Sequence, residues 1–185
     1  MGASMTPRAV CLLLISLALC HAAAGQATPA QQIVQEFKEI TELSNKVRTE
    51  TERIDFVLAT ILGNRIPDGL RAIVARVGRA SSMIQNLNMK ELGAADAKTV
   101  VAALTTFVEA QKSLLGVVID KHRLVTLSVY FDVIRRTLVN LEAVVDMFAF
   151  NLIAVIPTEK PAADQQFRSL GVTIKLAIST YQRPL

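Results

Sequence analysis

Between Leu127 and Ile156 the chain places apolar side chains at Leu127, Phe131, Ile134, Leu138, Leu141, Val145, Phe148, Leu152 and Val155, in alternating steps of four and three without a miss. That spacing draws one seam down an α-helix. A second seam runs beside it through Tyr130, Ile134, Thr137, Leu141, Val144, Phe148, Asn151 and Val155. Together they form a face wider than one partner helix can cover, so this helix is expected at the centre of the molecule with others around it. Asp132, Arg135, Arg136, Glu142 and Asp146 fall between the stripes and mark the wet side. At the rise of an α-helix the stretch is roughly 45 Å long. No Gly or Pro interrupts it before Pro157, where it is expected to stop.

The rest of the chain repeats the same rhythm. Thr28-Pro29-Ala30-Gln31 reads as a capping box with proline at the first helical position. It opens a helix whose seam is Ile33, Phe37, Ile40, Ser44, Val47, Thr51, Ile54, Leu58 and Ile61, expected to end at Gly63-Asn64. Glu42 with Lys46 and Arg48 with Glu52 are spaced to pair along its outer face. Pro67-Asp68-Gly69 is read as the start of a second helix with Leu70, Ile73, Val77, Ala80, Ile84 and Leu87 inward. Residues 88–95 form a turn, and Asp96 is expected to cap a third helix with the seam Val101, Leu104, Val108, Gln111, Leu115, Val118, His122 and Val125. Nothing between Lys121 and Thr126 breaks a helix, so the third is expected to run almost directly into the fourth. A last helix, 162–181, faces inward through Phe167, Leu170, Ile174, Ala177 and Tyr181. No stretch alternates as a strand does. The reading is all-α: a single five-helix up-and-down bundle.

Residues 1–25 stand apart from this pattern. Arg8, the apolar run 9–19 and the small residues around Ala24 have the physical form of a secretory signal peptide, with cleavage placed between Ala24 and Gln26. The domain is then 26–185. Both cysteines, Cys11 and Cys20, leave with the signal, so a secreted domain would rely on core packing without disulfides or thiol chemistry. Arg8 is the only charge removed, taking the net charge from +4 to +3, too mild to indicate a nucleic-acid partner. No Asn-x-Ser/Thr sequon is present, and the C-terminus lacks the hydrophobic tail of a lipid-anchor signal. The product is expected to be secreted and soluble, with no transmembrane segment.

Little here suggests catalysis. His122 is the one histidine of the expected mature chain, which excludes a two-histidine metal site and reads as a structural or helix-end histidine. No G-x-S-x-G context and no phosphate-binding Gly-rich loop occurs, and the acids are spread over outer faces. No enzyme, cofactor or metal is expected. The polar residues inside the seams carry more information: Ser44, Thr51, Gln111, Thr137 and Asn151. One reading has the small hydroxyls bonding to the carbonyl one turn back, with Gln111 and Asn151 setting helix register. Another has some of them holding the polar head of an apolar ligand inside the bundle. Gly78 and Gly116 could open space for such a ligand or allow close helix approach. Arg71, Arg76 and Arg79 give the second helix a basic bias, either a solvated face or a contact for an anionic surface or host protein.

With the signal, the missing cysteines and the helix order in place, the chain resembles the fungal hydrophobic surface-binding protein A family, which includes cell-wall galactomannoproteins. The resemblance is carried by VQEFKEITELSNKVRTETERIDFVL (34–58), LEAVVDMFAFNLIAVIP (141–157) and LGVTIKLAISTY (170–181). It implies a secreted, helical, non-enzymatic protein that adsorbs to hydrophobic surfaces and recruits a secreted hydrolase, or encloses a fatty acid between its helices. The chain departs from wall-attached members in lacking a Ser/Thr-rich stalk and anchor tail. The reading is therefore a binding protein for fatty acid, another amphipathic lipid or a hydrophobic surface. Ser44, Thr51, Gln111 and Thr137 are expected near the head group, and Phe107, Phe131, Leu141 and Phe148 along the tail. The alternatives are a structural or antigenic wall-associated protein without ligand, and a secreted effector binding a host protein through its second helix.

Overall fold

The computed structural model describes residues 27–55, 57, 63–87, 91–126 and 128–182. The expected signal segment, Leu58 and Ile61 of the first seam, and Leu127 lie outside the described residues. Among the described residues there is no strand. Five long helices, α1 (Pro29–Glu52), α2 (Arg65–Asn86), α3 (Ala94–Asp120), α5 (Tyr130–Val155) and α6 (Lys160–Thr180), are joined by the one-turn α4 (His122–Val125) and a 3-10 turn (Pro157–Glu159).

The starts and stops have local causes. Thr28 Oγ1 accepts from the Gln31 amide while the Gln31 side chain accepts from the Thr28 N–H, the expected capping box. α1 stops at Glu52, well before the expected Gly63-Asn64. A tertiary partner explains this: Lys121 Nζ donates to the Glu52 carbonyl at 2.9 Å and the Ile54 carbonyl at 2.7 Å, satisfying groups that a helix end leaves bare. α2 begins at Arg65, two residues before Pro67, whose missing N–H falls in the first turn where no intrahelical acceptor exists. Gly93, in extended conformation, is the N-cap of α3, and Asp96 sits in its first turn rather than at the cap. α5 starts at Tyr130 and ends at Val155, just before Pro157.

The long helices form a closed ring in the order α2, α1, α3, α6, α5 and back to α2. Directions alternate along the chain, yet neighbours in space are largely parallel. Phe37 meets Phe107 and Ser44 meets Gln111, so α1 and α3 run the same way. Lys112 reaches Ser169 and Tyr181 reaches Val118, so α3 and α6 do too. The expected up-and-down bundle is thus modified: the chain crosses the bundle end twice, and only α1–α2 and α5–α6 are hairpins of adjacent helices.

The central position expected for α5 is not what forms: it is one member of the ring, and its wide face is shared between its two neighbours, α2 and α6, because the five helices pack around a common axis rather than around one of their number. By length and composition α3 and α5 are also apolar enough to cross a membrane. In the bundle each turns a buried stripe inward, Val100–Val118 and Ile134–Val155 respectively. Gly69 sets the spacing of α1 and α2, since a Cβ there would lie 2.5 Å from Val47 Cγ1. Gly78 and Gly116 have no such role: a Cβ at either meets nothing within 4 Å.

Candidate functional site in the bundle interior

Four rings converge on the axis in the half of the bundle nearest the α5–α6 turn. Phe37 of α1 lies 5.4 Å from Phe107 of α3 and 5.4 Å from Phe148 of α5 between ring centroids. Phe148 also meets Phe167 of α6 at 6.2 Å, edge on. These contacts have the tilted and edge-to-face geometries that aromatic quadrupoles favour. They place Phe107 and Phe148 side by side, as expected for residues of one site. The rings lie against one another, so an acyl chain at this level would have to displace or repack them.

One turn further along α3 the interior becomes polar. Gln111 Nε2 donates to Ser44 Oγ at 2.6 Å, and Ser44 Oγ donates to the Ile40 carbonyl at 2.7 Å. Gln111 is 1% exposed and Ser44 0%. The Gln111 Oε1 has no hydrogen-bond partner. Buried acceptors are nearly always satisfied, so this atom is an exception that calls for an explanation. Among the described residues no Lys or Arg is buried, and this level holds an amide and a hydroxyl.

Thr51 and Thr137, expected beside the head group, donate to the Val47 and Val133 carbonyls at 2.7 and 2.8 Å. This is the local alternative open to a helical hydroxyl. Leu141 is buried in the same core. Phe131 belongs elsewhere. It packs with His122 and Tyr181 at the opposite end of the bundle, with centroids 5.1–5.5 Å apart, and is about 25 Å along α5 from Phe148. There the Tyr181 phenol donates to the Val118 carbonyl at 2.9 Å, burial pushes its pKa upward, and His122 Nε2 is buried without a partner. Of the eight expected residues, then, Ser44 joins Gln111, Phe107 joins Phe148, and Phe131 leaves the group.

Asn151 takes the register-setting role. Its Nδ2 donates to Ser81 Oγ at 2.7 Å, and its Oδ1 accepts from Gln85 Nε2 at 3.3 Å, tying α5 to α2. The basic bias of α2 is largely spent within the protein. Arg71 pairs with Asp68, and Arg76 pairs with Glu36 at 2.8 Å and also with Glu39 of α1. Glu36 and Glu39 lie on the preceding helix, where linear charge counting along α2 does not reach. Among the described residues, Arg79 alone of the three has no such partner.

A ring of antiparallel and parallel helices around an aromatic and amide-lined axis defines an all-α helical bundle. No family model and no curated protein matches the sequence. Solved structures do match the fold. The fungal protein AfMP4p in complex with palmitic acid aligns with TM-score 0.74 at 16% identity, over 82% of this chain and 99% of that one. Ligand binding domain 2 of the Penicillium marneffei MP1 protein, complexed with multiple arachidonic acids, aligns with TM-score 0.71 at 15% identity, over 82% and 92%. Domain 1 of the same protein, also with arachidonic acids, aligns with TM-score 0.66 at 14% identity, over 80% and 98%. At these identities the likeness is one of fold.

Proposed function

We propose that this is a secreted, non-enzymatic binding protein for fatty acids or related single-chain amphipathic lipids, held between the helices with the head at Gln111 and Ser44. The observation that carries this reading is the Gln111 Oε1, 1% exposed inside the bundle and without a hydrogen-bond partner among the described residues. The fold shared with proteins solved in complex with palmitic and arachidonic acid supports it. As oriented, the amide presents an acceptor to a protonated carboxylic acid or an alcohol. Turned by 180°, its oxygen would accept from Ser44 and its NH₂ would face a carboxylate. At about 25 cal/mol per Å² of apolar area, burial of the tail supplies most of the affinity and the amide supplies orientation. The signal-like segment 1–25 supports secretion. The pairing of Arg71 and Arg76 within the protein counts against a host-protein contact through α2.

The test is native mass spectrometry after solvent extraction, followed by titration with palmitic and arachidonic acid. Saturable uptake that weakens in Gln111→Leu is expected. A protein that refuses both lipids, and a fluorescent fatty acid besides, would leave hydrophobic-surface adsorption or a purely structural role.

A further inference from the structure

Three of the surface grooves lined by described residues differ in charge. One lies between α1 and α3 and carries Lys38 with Glu42; another, below the end of α5, carries Lys160 with Asp164. The third, of about 740 Å³, runs between α2 and α5 and is lined by Ala75, Gly78, Arg79, Ser82, Met83, Asn86, Leu87 and Met147. It differs from the others in charge: it holds a cation and no carboxylate. Its cation is also available, because Arg79 is the arginine of α2's middle stretch that has no acidic partner, while Arg76 is held by Glu36 and Glu39. Its apolar wall is equally available, since Met147 is 50% exposed. Gly78 leaves the floor open, a Cβ there meeting nothing within 4 Å.

We infer that this α2–α5 groove is a second, external binding site for a single-chain anionic amphiphile. The acid head sits on the Arg79 guanidinium, and the chain lies over Met83, Leu87 and Met147 toward the end of α2. From Arg79 to Leu87 the helix advances about 12 Å, enough to cover most of a medium-length acyl chain. An exposed guanidinium alone attracts a carboxylate weakly. Joined to a contiguous apolar track it selects for molecules having both parts, so a neutral alcohol of the same chain length binds less well and added salt weakens the acid. Occupancy of this groove requires no opening of the bundle, and it stands independently of the interior site at Gln111.

The experiment uses lauric acid bearing a diazirine near the chain terminus, photolysed on the full protein and mapped by peptide mass spectrometry, beside a titration with lauric acid and dodecanol. Labelling within 78–87 and around Met147 is expected, with affinity falling about tenfold in Arg79→Glu and comparably in Met147→Gln. Gln111→Leu should leave this labelling unchanged. Both surface residues are exposed, so the variants retain the fold, which circular dichroism checks. Labelling confined to the interior, or groove labelling that ignores Arg79→Glu and shows no preference for acid over alcohol, would overturn the inference. Groove labelling with an interior indifferent to Gln111→Leu would instead sustain the groove and sink the interior site.

Discussion

The Gln111 side-chain amide donates to the Ser44 hydroxyl across 2.6 Å, joining α3 to α1 at the level just beyond the Phe37–Phe107 contact. The bond satisfies one end of the amide and leaves the other bare.

That asymmetry separates two substitutions. Ser44→Ala removes the one partner the amide has and should cost about 1–3 kcal/mol, the penalty of leaving a buried polar group unsatisfied. Gln111→Leu removes the unsatisfied atom itself, while Ser44 keeps its bond to the Ile40 carbonyl. It should be neutral or stabilising by about 1 kcal/mol, and on the proposed function it should weaken lipid uptake. Urea denaturation of both variants and the double variant measures the difference. Equal destabilisation by the two would mean the amide is fully satisfied in solution.

Gly69 offers a test of the α1–α2 contact. A methyl group there would meet Val47 Cγ1 at 2.5 Å and Cγ2 at 2.8 Å, and a β-branched side chain in a helix has little freedom to turn aside. Gly69→Ala should therefore lose about 1–2 kcal/mol by overpacking, although alanine is the better helix former. In a Val47→Ala background the same change should become favourable by up to about 1 kcal/mol. Gly78→Ala, with nothing near it, should stabilise by about 0.5–1 kcal/mol without any second substitution. Thermal denaturation across these variants decides whether the two glycines differ as the contacts require.

Residue periodicity was sufficient to locate the long helices among the described residues and nearly every inward position on them, because amphipathic spacing is a property of the helix itself. Ile33, Phe37, Ile40, Leu104, Leu138, Leu152 and Ile174 are all buried where their seams place them. What periodicity could not reach are relations between helices. The early end of α1 depends on Lys121, sixty-nine residues after Glu52. The ring order depends on which faces meet, and α5 could have covered its wide face with other neighbours. The candidate site was legible to the same degree: Ser44, Gln111, Phe107 and Phe148 were recognisable as polar or aromatic breaks in a seam. Their pairing, and the departure of Phe131 to the His122–Tyr181 cluster, required the third dimension.

Asn151 is a second buried polar joint with a different expectation, since it is bonded at both ends. Asn151→Ala strands Ser81, which is 2% exposed, and leaves a void between α2 and α5. A loss of about 2–3 kcal/mol is expected. Adding Ser81→Ala to it should cost much less than Ser81→Ala does alone, because the shared bond is already gone. Additive losses in a double-mutant cycle would show that the two side chains are not coupled.

The Arg76 cluster ties stability to pH. The Gln35 amide donates to Glu39 at 2.9 Å, and with the Arg76 guanidinium it holds the Glu39 carboxyl below its ordinary value of 4.5, against the opposing effect of desolvation. A carboxyl depressed in the folded state favours folding while it is ionised in both states. That contribution is present above about pH 4.5 and is lost as the pH falls through the folded value. Wild-type protein should therefore lose stability relative to Glu39→Gln below pH 4.5, and the two should converge in strong acid. Because Glu39 is exposed to solvent, the effect should be modest and shrink in high salt. Urea midpoints collected from pH 7 to pH 3 at low and high ionic strength give the comparison. A gap between the two proteins that stays constant across this range would show that Glu39 titrates alike in the folded and unfolded chains, and that the α1–α2 ion cluster exerts no hold on its proton.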